Sequence, residues 1–356
     1  MQINNLHELG WNNYFESLID LDEREAVLPF RVVSVERNLI ECLGLDSEYK
    51  PHSLQLSTYF WRNELPEDHP AIGDWLLVNH DLEPQKLLDR NTLIKRKGAG
   101  KEAFVQLIAA NIDTLFIVTS CNQEFNINRI ERYLSIAAES DIYCVLVLTK
   151  MDQCEDTSVY TDVVTHNYPQ LPVELVNAIA PETLDTLQKW VRPGQTVALL
   201  GSSGVGKSTI INGLLGEVEQ ETGGIRESDS KGRHTTTSRS LHRLPGGGLL
   251  LDNPGMRELQ IVDSEAGIKS TFADIDSLAA KCRFKDCQHV TEPGCAVLAQ
   301  VEAGELEQRR LDNYHKLMSE QERNSATVAE RRHQDRAFGK FIKHAQASSR
   351  QFKTNS

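Results

Sequence analysis

Two short motifs stand in this chain in an order that limits the topologies open to it. Thr149-Lys150-Met151-Asp152 comes first, and Gly201-Ser202-Ser203-Gly204-Val205-Gly206-Lys207-Ser208-Thr209 follows. Where both motifs serve one nucleotide in one α/β sheet, the phosphate-binding loop ordinarily precedes the base-reading tetrapeptide. The reversed order implies a sheet whose chain was cut and rejoined elsewhere, with its ends moved. What a nucleotide-driven movement can pull on moves with them.

The second motif matches G-x-x-x-x-G-K-[ST]. Its glycines let backbone N–H groups close around phosphate oxygens, Lys207 reaches toward the β- and γ-phosphates, and Ser208 offers a hydroxyl to Mg²⁺. The context agrees with this chemistry. Thr196–Leu200 is an apolar run of strand length, and Lys207–Leu215 has helical apolar spacing that stops at Gly216. The helix N-terminus then faces the anion. Tyr143–Leu148 reads as a fully buried strand, which sets Thr149–Asp152 at a strand's carboxyl end, where open α/β sheets bind ligands. There Asp152 can accept from guanine N1–H and the 2-amino group, a pair of donors that adenine lacks, while the Lys150 stem lies along the base.

A third segment, Gly248-Leu-Leu-Leu-Asp252-Asn253-Pro254-Gly255, is an apolar strand ending in Asp-x-x-Gly. It offers Asp252 to Mg²⁺ through water and the Gly255 N–H to a γ-phosphate. Between loop and strand, Glu221–Ser240 is polar and includes Lys231-Gly-Arg-His-Thr-Thr-Thr237. It has no core-forming pattern and reads as a switch loop in which either Thr235 or Thr236 is the Mg²⁺ ligand. Where related hydrolases carry a water-orienting Gln directly after Asp-x-x-Gly, this chain has Met256. His234, in the switch loop, is the candidate replacement, because an imidazole can polarise water near neutral pH. Turnover is expected to be slow until a partner swings it in.

Length suggests two or three domains, and a net charge of −13 argues against a whole-surface nucleic-acid binder. No apolar run approaches the ~20 residues that cross a bilayer. The N-terminus lacks a basic-then-apolar leader, and seven cysteines are not spread as a disulfide framework, so a reducing cytoplasm is expected. Cys282, Cys287, His289 and Cys295 place three thiols and an imidazole within fourteen residues, the complement of a closed, structural Zn²⁺ site. Cys42, Cys121, Cys144 and Cys154 read as ordinary core or surface residues. Toward the end, Arg331, Arg332, Arg336, Lys340, Lys343, Arg350 and Lys353 stand against the lone Asp335, with Phe338, Phe341 and Phe352 interleaved. That tail can contact RNA phosphates. In the first hundred residues, Arg31–Val35, Gln55–Trp61 and Asp74–Asn79 read as strands of a small barrel, with Tyr59 and Trp61 as candidate base-stacking aromatics and Lys95–Gly100 as a basic, flexible exit.

Together these residues resemble one family, the circularly permuted GTPases of small-ribosomal-subunit maturation called RsgA or YjeQ. Thr149–Asp152, Gly201–Thr209, Gly232–Thr237, Asp252–Gly255 and the zinc set ending in Thr291-Glu-Pro-Gly-Cys295 carry the resemblance. It implies an OB-fold barrel with linker over residues 1–100, a permuted α/β P-loop GTPase domain over 101–265, and a zinc-bearing, mostly helical domain with a basic tail over 266–356. It also implies GTP hydrolysis to GDP and phosphate, stimulated by the small subunit and accompanied by binding to its rRNA. No membrane partner is expected, and a switch that docks on a ribosomal subunit can work as a monomer. The site set implied is GTP/GDP on the two motifs, Mg²⁺ held through Ser208, a switch threonine and Asp252, and one structural Zn²⁺. Three departures stand out. Thr149 replaces the usual Asn, whose amide braces the loop, and its hydroxyl can substitute in part. The expected Ser-Ala turn is Asn177-Ala178, and Asn253 replaces a commoner Thr. A metabolite kinase would need neither Thr149–Asp152 nor a polar switch, and a zinc-dependent RNA binder would leave the phosphate loop idle. Because the chain runs from Asp252–Gly255 into the zinc set, the permutation makes the γ-phosphate segment the covalent lead into the last domain.

Overall fold

The computed structural model describes residues 1, 3–36, 38–98, 105–216, 239–252, 259 and 261–325. The first five strands are β1 (Leu28–Val35), β2 (Leu39–Leu45), β3 (Pro51–Ser57), β4 (Trp75–Val78) and β5 (Pro84–Leu87). They pair antiparallel in the order β5-β4-β1-β2-β3, as in a partly open five-stranded barrel. A short helix, α1 (Asn13–Ser17), lies over it, and the rings of Trp11 and Phe15 meet Trp75 at 4.8 and 5.8 Å between centroids.

Two local expectations are corrected here. Gln55–Trp61 is not one strand: β3 stops at Ser57, whose hydroxyl accepts the Tyr59 N–H, and Thr58–Trp61 winds as a 3₁₀ turn. Trp61 turns inward and is buried, while Tyr59 is exposed with the Arg62 guanidinium 3.7 Å from its ring centroid. Lys95–Lys97 is not a flexible exit either. It belongs to β6 (Leu93–Lys97), which pairs with β7 (Val105–Ala110) in a separate two-stranded sheet.

The remaining strands build the mostly parallel part of the sheet. They are β8 (Thr114–Ser120), β9 (Tyr143–Thr149), β10 (Val173–Leu175), β11 (Thr196–Leu200), β12 (Arg239–Arg243) and β13 (Leu249–Asp252). Their order is β10-β9-β8-β11-β13-β12, all parallel except the antiparallel β12. Thr114–Ser120 is buried along its whole length because both faces of the sheet are covered. The alternation of side chains decides which residue meets which helix. Phe116, Val118, Val145, Val147, Val197 and Leu199 meet α4 (Pro181–Gln188) and α5 (Lys207–Leu215). Leu115, Ile117, Leu146, Leu148, Ala198 and Leu200 meet α2 (Ile127–Ala138) and Val164 of α3 (Ser158–Asn167). That second cluster continues into α6 (Glu265–Thr271), α7 (Ala273–Ala279), α8 (Ala296–Glu302) and a helix over 308–325 through Ile268, Phe272, Ile275, Val297, Leu311 and Leu317. The C-terminal helices therefore share one core with the sheet.

β1 joins the two sheets. Its first half pairs with β4, a bulge interrupts its register with β2 between Val32 and Ser34, and its end pairs with β12 through Ser34↔Ser240 and Val35↔Arg239. Beneath this junction lies Arg31, with 1% exposure. Its guanidinium donates to three backbone carbonyls: Gly73 O at 3.1 Å, Asn111 O at 3.0 Å, and Leu9 O. Burial pulls its pKa down to about 10, with Asp113 and Asp74 opposing the shift, so it stays charged at neutral pH. The N-terminal turn, the barrel and the strand-to-sheet connection thus converge on one cation.

Arg31→Leu orphans the Leu9 and Asn111 carbonyls, at roughly 1 kcal/mol or more each, while Gly73 O keeps the Asn111 amide at 2.9 Å. The tryptophan-fluorescence unfolding midpoint in urea should fall by an amount equivalent to about 2 kcal/mol. A shift below about 0.5 kcal/mol would show that the three segments do not depend on it.

Candidate functional site

The reversed motifs meet at the carboxyl end of the parallel strands. β9 ends at Thr149, β11 runs into Gly201, and β13 ends at Asp252. β8 lies between the first two, with Ser120 opposite Thr149 and Ile117 opposite Leu200. β13 flanks β11 on its other side. Sequence order is irrelevant to this convergence, because parallel neighbours deliver their ends to one rim whichever is threaded first.

The phosphate loop needs glycine for two distinct reasons. A Cβ on Gly201 would lie 2.2 Å from Val118 O, so only glycine lets the loop leave β11 against β8. Gly206 has φ +98°, in the left-handed region that glycine tolerates, and it opens α5. Ser203 and Gly204 form the exposed rim, while Ser208 and Thr209 are half-buried on the first turn of α5. Lys207 Nζ donates to Gly201 O at 2.7 Å and to Ser202 O at 2.5 Å, which holds the ammonium inside the curve of the loop. α5 ends at Gly216 as its pattern indicates.

Thr149 is fully buried, and its Oγ1 lies 2.6 Å from Val205 O and 3.1 Å from Thr119 O. A hydroxyl has one proton, so the shorter contact is its principal hydrogen bond. That bond ties β9 to the phosphate loop. Thr149 thereby supplies a brace that its lack of an amide had put in question. After it, Lys150 takes φ +57° and Asp152 is exposed on the 3₁₀ turn Met151–Gln153. Asn177-Ala178 follows β10, next to β9, in a turn where Asn177 Oδ1 accepts the Ile179 N–H at 3.3 Å and Thr183 Oγ1 donates to Asn177 O at 2.7 Å. Asp252 is half-buried and opposite Ser240 on β12. His234, Thr235, Thr236 and Gly255, like Asn253 and Met256, lie outside the described residues.

The four zinc-type ligands converge, with their ligand atoms all within 4.8 Å of one another. Bonds of about 2.3 Å to sulfur and 2.05 Å to nitrogen in a tetrahedron give edges of about 3.8 Å (S–S) and 3.6 Å (S–N). Cys282 and Cys295 sulfurs are 3.8 Å apart, and His289 Nδ1 lies 3.6 and 3.4 Å from them. The donor set therefore fits a closed Zn²⁺ site. Burial resists ionisation of Cys282, but the N–H groups of Ala296 and Val297 and the adjacent thiols outweigh it and hold the thiol below its usual range. Burial, followed by His315, lowers the His289 pKa and favours the neutral, ligating imidazole.

Sequence reasoning missed several supporting groups. Glu292 accepts the N–H groups of Gln288, Val290 and Thr291 at 2.8 to 3.0 Å, which pulls its pKa down to about 2 and shapes the knuckle. Its stabilisation is complete above the ordinary glutamate range, declines as pH falls below that range and is gone below about 2. Arg129, on the first turn of α2, donates to Ser202 Oγ at 2.9 Å. Glu131, two residues on, is fully buried against Arg309 and Arg310. A helix carrying Asn-Arg-Ile-Glu-Arg has no motif to mark it.

A family model described as RsgA GTPase matches residues 87–262. The small ribosomal subunit biogenesis GTPase RsgA 2 of Vibrio parahaemolyticus is 48% identical, with 98% of this chain and 94% of that protein covered. Its counterpart in Vibrio vulnificus is 46% identical, with 98% and 97% covered. Among solved structures, YjeQ from Thermotoga maritima matches with a TM-score of 0.58 at 24% identity, over 83% of this chain and 98% of that one. YloQ, a circularly permuted GTPase, matches with a TM-score of 0.58 at 22% identity, over 88% and 99%. These two structures speak to the fold.

Thr149→Val keeps the side-chain shape and removes the donor to Val205, leaving a buried carbonyl unpaired at about 1–2 kcal/mol. Titration with a fluorescent GTP analogue should show affinity about tenfold weaker. Equal affinity would mean that the loop holds itself. For the second site, Cys287→Ala should lose zinc by metal analysis and lower the thermal midpoint, and a chelator should reproduce both effects on the parent protein. Unchanged metal content and stability would reject that site.

Proposed function

The chain belongs to the RsgA GTPase family, and from that premise we propose that it hydrolyses GTP during small-ribosomal-subunit biogenesis, with turnover stimulated by that subunit. The observation that supports this most directly is the meeting of the two reversed motifs at one sheet rim, joined by the Thr149–Val205 hydrogen bond of 2.6 Å. A kinase built on the phosphate loop alone has no use for that junction.

In this reading Asp152 selects guanine, with Thr149, Lys150 and Met151 shaping its turn, and the N–H groups of Gly201–Thr209 surround the phosphates. Lys207 exchanges the carbonyls of Gly201 and Ser202 for β- and γ-phosphate oxygens. Ser208, Asp252 and either Thr235 or Thr236 are the residues that would hold Mg²⁺, which when bound would supply positive charge against the phosphates. The Gly255 N–H meets the γ-phosphate. His234 orients a water for in-line attack on the γ-phosphorus, the bond to the β–γ bridging oxygen breaks, and GDP and phosphate result. Met256 offers only a weak thioether acceptor, so it does not take that part. Zn²⁺ held by Cys282, Cys287, His289 and Cys295 is structural, since four protein ligands leave no open position.

The proposed partner is the small subunit with its rRNA. A net charge of −13 confines RNA contact to local basic surfaces such as the tail from Arg331 onward. Among the described residues no helix is long and apolar enough to cross a membrane. The cytoplasm, where subunits assemble, is the proposed compartment, and a monomer suffices to dock on one.

Release of inorganic phosphate from GTP and from ATP, with and without purified small subunits, tests the reading. GTP alone should be turned over, with stimulation of at least about tenfold by subunits, since completing a water-positioning site is worth far more than that in related hydrolases. ATP turnover at a similar rate, or no response to subunits, would reject it. His234→Ala should lower stimulated kcat about a hundredfold with little change in KM. Retained turnover would remove histidine from the mechanism.

A further inference from the structure

One helix touches both the phosphate loop and the C-terminal helices. At the first turn of α2, Asn126 caps the Arg129 N–H at 3.1 Å, and Arg129 Nη1 donates to Ser202 Oγ at 2.9 Å. The Ser202 carbonyl in turn takes the Lys207 ammonium at 2.5 Å. Farther along, the buried Glu131 carboxylate accepts Arg309 and Arg310, each at 3.1 Å, and the Asn313 amide. Asn128 Oδ1 accepts Arg309 at 2.6 Å, and Arg132 forms a two-pronged pair with Glu320 at 2.6 Å on each prong. At the far end, Glu139 accepts the Gly267 N–H of α6 at 2.7 Å.

The C-terminal helices are thus fastened along α2, and α2 is fastened to the phosphate loop through Arg129. Across twelve residues an α-helix spans about 18 Å and moves as a rod, so a push on its C-terminal partners reaches its first turn. The zinc cluster belongs to the same body: Cys295 caps α8, and Val297 sits in the core that α2 shares. Arg129 Nη1 is shared with Glu124, whose carboxylate lies 3.6 Å away on the segment leading into α2.

We propose that Arg129 is a positioning residue for the phosphate loop, and that α2 carries docking of the C-terminal helices on the small subunit to that loop through the Arg129–Ser202 contact. This rests on the subunit-stimulated GTPase reading above. Arg129 acts through Ser202 and Lys207 and not on the reacting atoms, so it governs how well the loop is set when the partner is bound.

The test is steady-state GTP hydrolysis by the full chain, with and without purified small subunits, for Arg129→Ala, Arg129→Lys, Ser202→Ala, the Arg129→Ala/Ser202→Ala double variant and Glu320→Gln. Arg129→Ala should lower subunit-stimulated kcat about tenfold while KM for GTP changes less than about threefold, and Arg129→Lys should recover part of the loss. Ser202→Ala should match Arg129→Ala, and the double variant should be no worse than either, since one contact is lost in all three. Glu320→Gln, which loosens the distal clamp, should leave intrinsic turnover unchanged and cut the stimulation factor about threefold. Normal stimulation in Arg129→Ala and Ser202→Ala, or additive losses in the double variant, would overturn this proposal alone. A parent protein that subunits fail to stimulate would overturn both this proposal and the functional reading beneath it. If Arg129→Ala fails to fold, Ser202→Ala, which removes one oxygen, decides the matter.

Discussion

Burying an ionised carboxylate costs several kcal/mol unless its surroundings compensate, and Glu131 is wholly buried. Its compensation comes from Arg309, Arg310 and Asn313, all on the helix over 308–325. Apolar packing of Phe272, Ile275, Leu311 and Leu317 supplies driving force but little register, because greasy surfaces slide. The carboxylate supplies the register: a helix seated one turn away would leave a bare charge in the core. Arg310 extends the arrangement by bonding Asp274 of α7 and the Tyr168 hydroxyl. The C-terminal helices consequently have one seat on the nucleotide sheet.

Arg31 plays the opposite-signed part on the other side of the molecule. Among the described residues it has no carboxylate in direct contact, and it is satisfied by carbonyls of Leu9, Gly73 and Asn111, segments that are distant in sequence. Each buried charge therefore acts as a fixed point at which separate pieces of chain must meet. Between them runs β12. It pairs with β13 on one side and the end of β1 on the other, so that Ser240 stands opposite both Asp252 and Ser34. The barrel begins one strand away from the candidate Mg²⁺ carboxylate. The permutation that leads the chain from Asp252 toward the zinc set is thus accompanied by a lateral, hydrogen-bonded connection to the barrel, which motif order does not reveal.

Legibility in the sequence followed the range of the interactions. Strands β9, β11 and β13, helix α5 with its Gly216 stop, and the Cys282–Cys295 cluster could be read because each is declared by local pattern or spacing. Where a local bond competes with the pattern, reading fails. Gln55–Trp61 looks like a strand until the Ser57 hydroxyl takes the Tyr59 N–H and turns the chain, and Trp61 goes into the core instead of onto the surface. β6 was hidden because Lys95–Lys97 looks solvated, and only its pairing with Val105–Leu107 makes it a strand.

What the sequence determined by itself is the pattern on offer: a loop of phosphate-binding pattern, a tetrapeptide of guanine-reading pattern placed before it, an acidic strand end, and a thiol–imidazole set of zinc spacing. These are properties of a few adjacent residues, and folding does not alter them. The tertiary structure decided what those groups are attached to. The Thr149–Val205 bond, the Arg129–Ser202 contact and the Glu131 cluster join residues 56, 73 and about 180 positions apart. No local rule selects such partners. They are chosen by which strand ends share a rim and by where a buried charge can find its complement.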